Sequence, residues 1–112
     1  MNAPTTYEPC SADLLVEAGL FRALGDPNRA AILAILARRD RPVCVRELTA
    51  CVSVRQPTVS HHLDYLRRLR LVARMRRGAT VGYVLAPGAR ELIVAAYAAV
   101  LQDGLAGEAK RA

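Results

Sequence analysis

The sequence predicts a mainly α-helical domain carrying one small β-hairpin, about five helices and two strands in all, and three observations predict it. Apolar residues recur at helical spacing in successive segments between residues 12 and 103. Two of those helices are separated by only three residues, Ser53-Val54-Arg55, which leaves room for nothing but a turn. An arginine-rich segment then alternates with period two on either side of Arg77-Gly78-Ala79. The 112 residues suffice for one compact domain, small enough that pairing with a second copy would help it bury apolar surface.

Residues 1–10 hold Pro4 and Pro9 without periodicity and are read as a flexible arm; the folded domain is expected over 11–103 and a flexible tail over 104–112. Ser11 can cap a first helix, whose stripe is Leu14, Leu15, Ala18, Phe21 and Leu24, with Gly25 as its stop. Asp26-Pro27 supplies an N-cap and a first helical residue that needs no donor, and Ile32, Leu33, Ile35 and Leu36 make a buried second helix. A short third helix, about Val45 to Val52, sets Leu48, Cys51 and Val52 on one face. The fourth follows at once, with Pro57 in its first turn and an inward stripe of Val59, Leu63, Leu66 and Leu69. On that wheel His61, Asp64, Tyr65 and Arg68 point away from the stripe, His62 sits at its edge, and Thr58 and Ser60 flank it. Leu71 to Arg76 and Thr80 to Leu85 form the hairpin. After Pro87-Gly88, a last helix with Leu92, Ile93, Ala96, Tyr97, Val100 and Leu101 is too apolar to face water in so small a domain. It is expected to pair with a partner subunit together with the first helix, through Leu14, Leu15, Leu92, Ile93, Ala96, Tyr97 and Val100, around a two-fold axis.

Composition narrows the class. No run approaches the roughly 20 apolar residues that span a bilayer, so no membrane partner is expected. The start, Met1-Asn2-Ala3-Pro4, lacks a secretory signal, which predicts a cytoplasmic protein with reduced thiols. Cys10, Cys44 and Cys51 are odd in number and widely spaced, against a disulfide framework. The formal charge of +6 comes from arginine, 15 residues against the single Lys110, and six of them crowd between Tyr65 and Gly78. Arginine suits phosphates and guanine edges, although a GC-rich genome would enrich it too.

Two short helices on a three-residue turn, the second opening Gln56-Pro57-Thr58-Val59-Ser60-His61-His62, followed by a basic hairpin, make a winged helix-turn-helix. Gln56 can pair with adenine, Thr58 can meet a thymine methyl, and Ser60 and His61 can donate to bases or phosphates, while His62 serves packing or DNA. Arg67, Arg68, Arg74, Arg76 and Arg77 are expected on phosphates or in a minor groove, where they supply affinity and salt dependence rather than sequence choice.

Over residues 12 to 102 the chain resembles the ArsR/SmtB family of bacterial repressors, through Leu24-Gly25-Asp26-Pro27-Asn28-Arg29 with Ile32-Leu33, and through Gln56-Pro57-Thr58-Val59-Ser60-His61-His62-Leu63 with Leu66. The resemblance implies a homodimeric, sequence-specific DNA-binding repressor that needs no cofactor to fold and releases operator DNA when an inducer, often a transition-metal or metalloid ion, binds. It also marks departures. Arg55 stands where the family often has Ser, which loses a helix cap and adds a candidate phosphate contact. Members sensing thiophilic ions often carry Cys-x-Cys at the start of the third helix, and here Cys44-Val45-Arg46 has arginine in place of the second thiol. Cys51 cannot replace it: seven helical residues separate the two Cα atoms by roughly 10 Å, too far for thiolates each about 2.3 Å from one ion. A metal site would instead join Cys10 to Cys44 of either subunit, with Glu8 or water beside them; the competing readings are redox switches or bystanders, and for Cys51 a small buried hydrophobe. The family's second site, of Asp and His on the last helix, looks absent, since residues 88–112 contain no His. A repressor regulated by a partner protein or a redox signal is therefore the alternative.

Catalysis is not expected, for no Ser-His-Asp set or glycine-rich phosphate loop is present. A winged-helix protein-interaction module is the rival class, disfavoured by the arginine-rich hairpin and the polar opening of the fourth helix. RNA binding lacks an aromatic stacking platform.

Overall fold

The computed structural model describes residues 12–111, with side chains over 18–99 and at 101. Five helices and one hairpin follow in order: α1 (Ala12–Leu24), α2 (Pro27–Arg38), α3 (Val45–Cys51), α4 (Gln56–Arg68), β1 (Val72–Arg77), β2 (Thr80–Leu85) and α5 (Ala89–Arg111). This is the predicted fold class. The core gathers one apolar face from each element: Leu20 and Ala23 from α1, Ile32 and Leu36 from α2, Leu48 from α3, and Val59, Leu63 and Leu66 from α4. Each buried leucine or isoleucine contributes about 1.5–3 kcal/mol relative to exposure, so α4 is held mainly by its inward stripe.

The α1–α2 corner is built by Leu24-Gly25-Asp26-Pro27-Asn28-Arg29. Asp26 caps α2: its Oδ1 accepts from the backbone N–H of Asn28 at 2.9 Å and of Arg29 at 3.0 Å. Pro27 opens the helix where a missing N–H costs nothing. Arg29 then reaches back and closes α1, donating from Nε to the Ala23 carbonyl at 2.9 Å and from a terminal nitrogen to the Arg22 carbonyl at 3.2 Å. Its guanidinium lies 4.5 Å from the centre of the Tyr65 ring, a cation–π contact onto α4. Tyr65 is thus half-buried against the core, not on the outward polar face the helical wheel assigned to it.

β1 and β2 pair antiparallel from Val72↔Leu85 to Arg77↔Thr80. Arg77 therefore belongs to the strand rather than to the turn, and the loop is the two residues Gly78-Ala79. Gly78 at φ 62° followed by a residue of ordinary φ is the pattern of a type II′ hairpin. Val43 adds a bridge to Tyr83, with reciprocal N–H···O=C bonds of 2.9 and 2.8 Å, which fixes the lead-in to α3 beside the root of the hairpin. Gly82 permits that approach: a Cβ there would lie 2.5 Å from Pro42 Cβ.

α4 ends in a Schellman motif. Leu71 N–H donates to the Leu66 carbonyl at 3.0 Å and Arg70 N–H to the Arg67 carbonyl at 2.9 Å, with Leu71 and Leu66 both buried. Arg70 takes the left-handed position, φ 61°, usually filled by glycine, at a cost of about 1–2 kcal/mol.

α5 packs through small residues. Ala89 and Ala96 are buried and Ile93 is half-buried against the core, while Tyr97 meets Phe21 edge-on with ring centres 5.5 Å apart. Ala96 was expected in the subunit interface; its own chain buries it to 2% exposure, so it faces inward instead. Leu92, Val94, Tyr97 and Leu101 remain exposed. α5 runs from Ala89 to Arg111, across Gly104 and Gly107. The side chains of Leu14, Leu15 and Val100, and Cys10, lie outside the described residues.

The corner predicts an acid-sensitive stabilisation. The Arg29 N–H bond holds the Asp26 carboxyl below its ordinary value, with the Asn28 N–H and nearby His62 and Arg29 adding to it, against partial desolvation. A carboxylate depressed in the folded state contributes its full stabilisation above its unfolded pKa, near 3.9, and loses it as pH falls from there through the lower folded-state pKa. Asp26→Ala is expected to cost about 1 kcal/mol in chemical denaturation at pH 7, and the gap from wild type should narrow below about pH 4.

Candidate nucleic-acid interface

α3 and α4 are joined by the four residues Val52-Ser53-Val54-Arg55, one more than the sequence reading allowed, because α3 ends at Cys51. Arg55 adopts extended backbone (φ −77°, ψ 161°), and its carbonyl accepts from Thr58 and Val59 N–H at 3.0 and 3.1 Å. No side chain caps the helix start. The first turn of α4 therefore presents an uncapped, partially positive helix end flanked by an arginine, a setting that favours an anion. Arg55, Gln56, Thr58 and His61 are exposed and Ser60 is half-buried, while Val59, Leu63 and Leu66 are buried.

His62 does not join them. It is buried, 8% exposed, with Nε2 3.9 Å from Asp26 Oδ1 and with Nδ1 lacking a hydrogen-bond partner. Of the two roles left open for it, packing is the one its position serves, and the DNA-contact assignment is withdrawn. The reason is the 100° step: His61 and His62 point in different directions, and the tighter side faces α2.

The basic residues divide into two groups. A cleft of about 460 Å³ between α4 and β1 brings together Arg67, Arg68 and Arg74, with Asp64 as its one acid; the Asp64–Arg67 pair is long, 3.5 Å, and exposed. Three guanidinium groups against one carboxylate leave the cleft with net positive charge. The hairpin carries the rest. Arg74 and Arg76 share one face, paired across to Tyr83 and Val81, and Arg77 lies on the other with Met75. Arg76 Nε donates to the Gly78 carbonyl at 3.2 Å, which ties this guanidinium to the tip. Met75, 47% exposed, is a feature sequence reasoning missed; it fills an apolar slot in the alternation yet projects beside Gly82 where the hairpin leaves the core.

Cys44 is the N-cap residue of α3, in extended backbone outside the helix proper. It is half-buried, and its Sγ donates to Glu47 Oε1 at 3.7 Å. Glu47 is already engaged: Arg41 grips its two oxygens at 3.1 and 2.8 Å, and this hydrogen bond above all pulls its pKa down to about 2. Cys44 and Glu47 line a cavity of about 420 Å³ with Arg41, Met75 and Arg76. Among the described residues no group of three or more His, Cys, Asp and Glu side chains could hold a metal. Cys51, expected to be buried filler, is exposed; it is the last residue of α3, on the rim, and Leu48 takes the core position.

A family profile described as bacterial regulatory protein, arsR family, matches residues 26–74. The chain is 42% identical over 86 residues to the HTH-type transcriptional repressor SmtB of Mycobacterium tuberculosis, a match covering 76% of this chain and 62% of that one. It thus spans about three-fifths of that curated relative. Among solved structures, M. tuberculosis Rv0081 superposes with a TM-score of 0.64 at 32% identity, covering 89% of this chain and 99% of that one. The cadmium metal-sensor CMTR from the same organism gives 0.51 at 38% identity, covering 61% and 68%.

The burial of His62 is directly measurable. Acylation by diethylpyrocarbonate under native conditions is expected to modify the exposed His61 at least tenfold faster than the buried His62, read residue by residue by mass spectrometry. Equal rates would place both rings on the surface.

Proposed function

The chain belongs to the arsR family of bacterial regulatory proteins, and from that premise we propose that it is a homodimeric repressor, acting in the cytoplasm, that binds double-stranded operator DNA. The observation that carries the reading is the adjacency of an uncapped, outward-facing α4 start to a net-positive cleft and an arginine-bearing hairpin. Gln56 and Thr58 read base edges from the major groove, with Ser60 and His61 behind them. Arg55 and the α4 N-terminus take a phosphate; Arg67, Arg68 and Arg74 line the path of the backbone, and Arg76 and Arg77 reach it from the wing. The exposed apolar residues of α5, Val94, Tyr97 and Leu101 on one side and Leu92 on the other, support pairing of two subunits, with α1 contributing Leu14 and Leu15. Two copies would present two α4 helices to successive turns of the duplex.

For the inducer, a thiophilic ion is the first reading, supported by kinship to a protein named as a cadmium sensor. Cys44 would supply one thiolate from its non-helical lead-in, Cys10 a second, and Glu47 a carboxylate once released from Arg41. The engagement of Glu47 by Arg41 and the arginine at position 46 favour a second reading, in which a redox signal or a partner protein does the regulating.

The test is binding of the purified, reduced protein to DNA upstream of its own gene, by fluorescence anisotropy. Arg76→Ala is expected to weaken specific and random DNA alike and to lower the slope of log K against log salt by about 1. Gln56→Ala is expected to narrow the gap between operator and random DNA by about 1–3 kcal/mol; equal losses on both would remove it from base reading. Titration with Cd, Zn, Ni and arsenite separates the inducer readings. Release by one ion that is lost in Cys44→Ser supports the thiolate site, and indifference to every ion leaves the redox or partner signal.

A further inference from the structure

We propose that the hollow between the end of α2, the start of α5 and the Met75–Arg77 face of the hairpin holds the phosphate backbone of the duplex that flanks the operator, through Arg39, Arg77 and Arg90. The inference rests on the DNA reading above and carries it to a second stretch of DNA. The hollow has a volume of about 380 Å³, and its charged lining is Arg39, Arg41, Arg77 and Arg90 with Asp40. Glu47 engages Arg41 at 2.8 Å, so three guanidinium groups stand against Asp40. Planar guanidinium forks suit phosphate oxygens better than point charges do.

These arginines come from separate elements that are fastened to one another. Arg39 is the C-cap of α2, in extended backbone, and its backbone N–H does the capping by donating to the Ile35 carbonyl at 3.2 Å. Its side chain is exposed. Arg90, in the first turn of α5, donates from one terminal nitrogen to the Ala37 carbonyl at 3.1 Å, which ties α5 to α2. The reciprocal Val43–Tyr83 bonds and the packing of Pro42 on Gly82 hold the segment after α2 to the hairpin. The backbones that carry the cations are thus in place before a ligand arrives, which lowers the ordering cost of binding. A cation at a helix C-terminus has a local use, and Arg90 serves it for α2. That role takes one of its several N–H donors and requires neither Arg39 nor Arg77. Arg77 lies on β1 and is shared with the wing, so it joins this hollow to the surface already assigned to the operator. A duplex continuing past the hairpin passes from Arg77 to Arg90 and Arg39, and that continuity favours nucleic acid over an acidic protein as the occupant.

The test compares two duplexes from upstream of the protein's own gene, one of about 20 base pairs, enough for two half-sites one helical turn apart, and one with about 10 further base pairs at each end. Anisotropy is read at about 0.15 M salt, where screening within about 8 Å confines each substitution to its neighbourhood. Wild type is expected to bind the longer duplex roughly tenfold more tightly, with a salt slope steeper by about 2 to 4 for Arg39 and Arg90 of two subunits. Arg39→Glu is expected to melt within a few degrees of wild type and to keep its affinity for the short duplex within about twofold. It should lose most of the gain on the longer duplex and about 2 of the added slope. Arg39→Gln, which reverses no charge, is expected to fall between the two proteins. Binding of the short duplex with no gain on the longer one, or an equal gain in Arg39→Glu, overturns the inference and leaves the operator reading standing. An Arg39→Glu protein that loses the short duplex to the same extent also overturns it, by making Arg39 an operator contact. Failure of wild type to bind either duplex removes the operator reading and this inference with it.

Discussion

The position of α4 depends on one polar corner. Asp26 starts α2, Arg29 finishes α1, and the same Arg29 lies on the Tyr65 ring of α4 while His62 of α4 stands 3.9 Å from Asp26. The inward stripe of Val59, Leu63 and Leu66 sets which face of α4 meets the core. The corner adds directional contacts to it, the Arg29 guanidinium on the Tyr65 ring above all. Turning α4 by one residue so that His62 took the place of His61 would expose a buried ring and carry His61 to the half-buried position of Ser60.

Charge then acts on a surface whose shape is already determined. Of the acids in the described region, Glu47 is held by Arg41 and Asp26 by two backbone amides, and Asp64 pairs only weakly with Arg67. Among the described residues, Asp64 is the one acid paired with an arginine of the α4–β1 cleft or the hairpin, and the field of these arginines adds to that of the uncapped helix start. Affinity would come from the many guanidinium groups and selectivity from the few polar side chains of the first turn, a division usual in DNA recognition.

Much of this was legible in the sequence because it rests on local chemistry. Asp26-Pro27 and Pro57 mark helix starts through donors and φ angles that any chain must satisfy, and the period-two segment around Gly78 could be nothing but a hairpin. What escaped was tertiary. α5 is apolar on two adjoining faces, so periodicity could not say that Ala96 turns inward while Val94 stays exposed. His62 sat on the boundary of the α4 stripe, and only the approach of Asp26 draws it in. Cys51 looks like core by type, but seven residues of helix end before its side of α3 is covered. The strain at Arg70 has no sequence signal, since arginine in a left-handed position violates the preference from which such positions are read.

The central claim is that the start of α4 and the hairpin arginines together form the surface that meets double-stranded DNA. Backbone amide shifts recorded during titration with a duplex from the protein's own upstream region test it most directly. The account predicts the largest changes at residues 55–61 and 74–79, with α2 and the buried side of α4 little affected. Changes concentrated on the exposed strip of α5, with the α4 start unmoved, would contradict it.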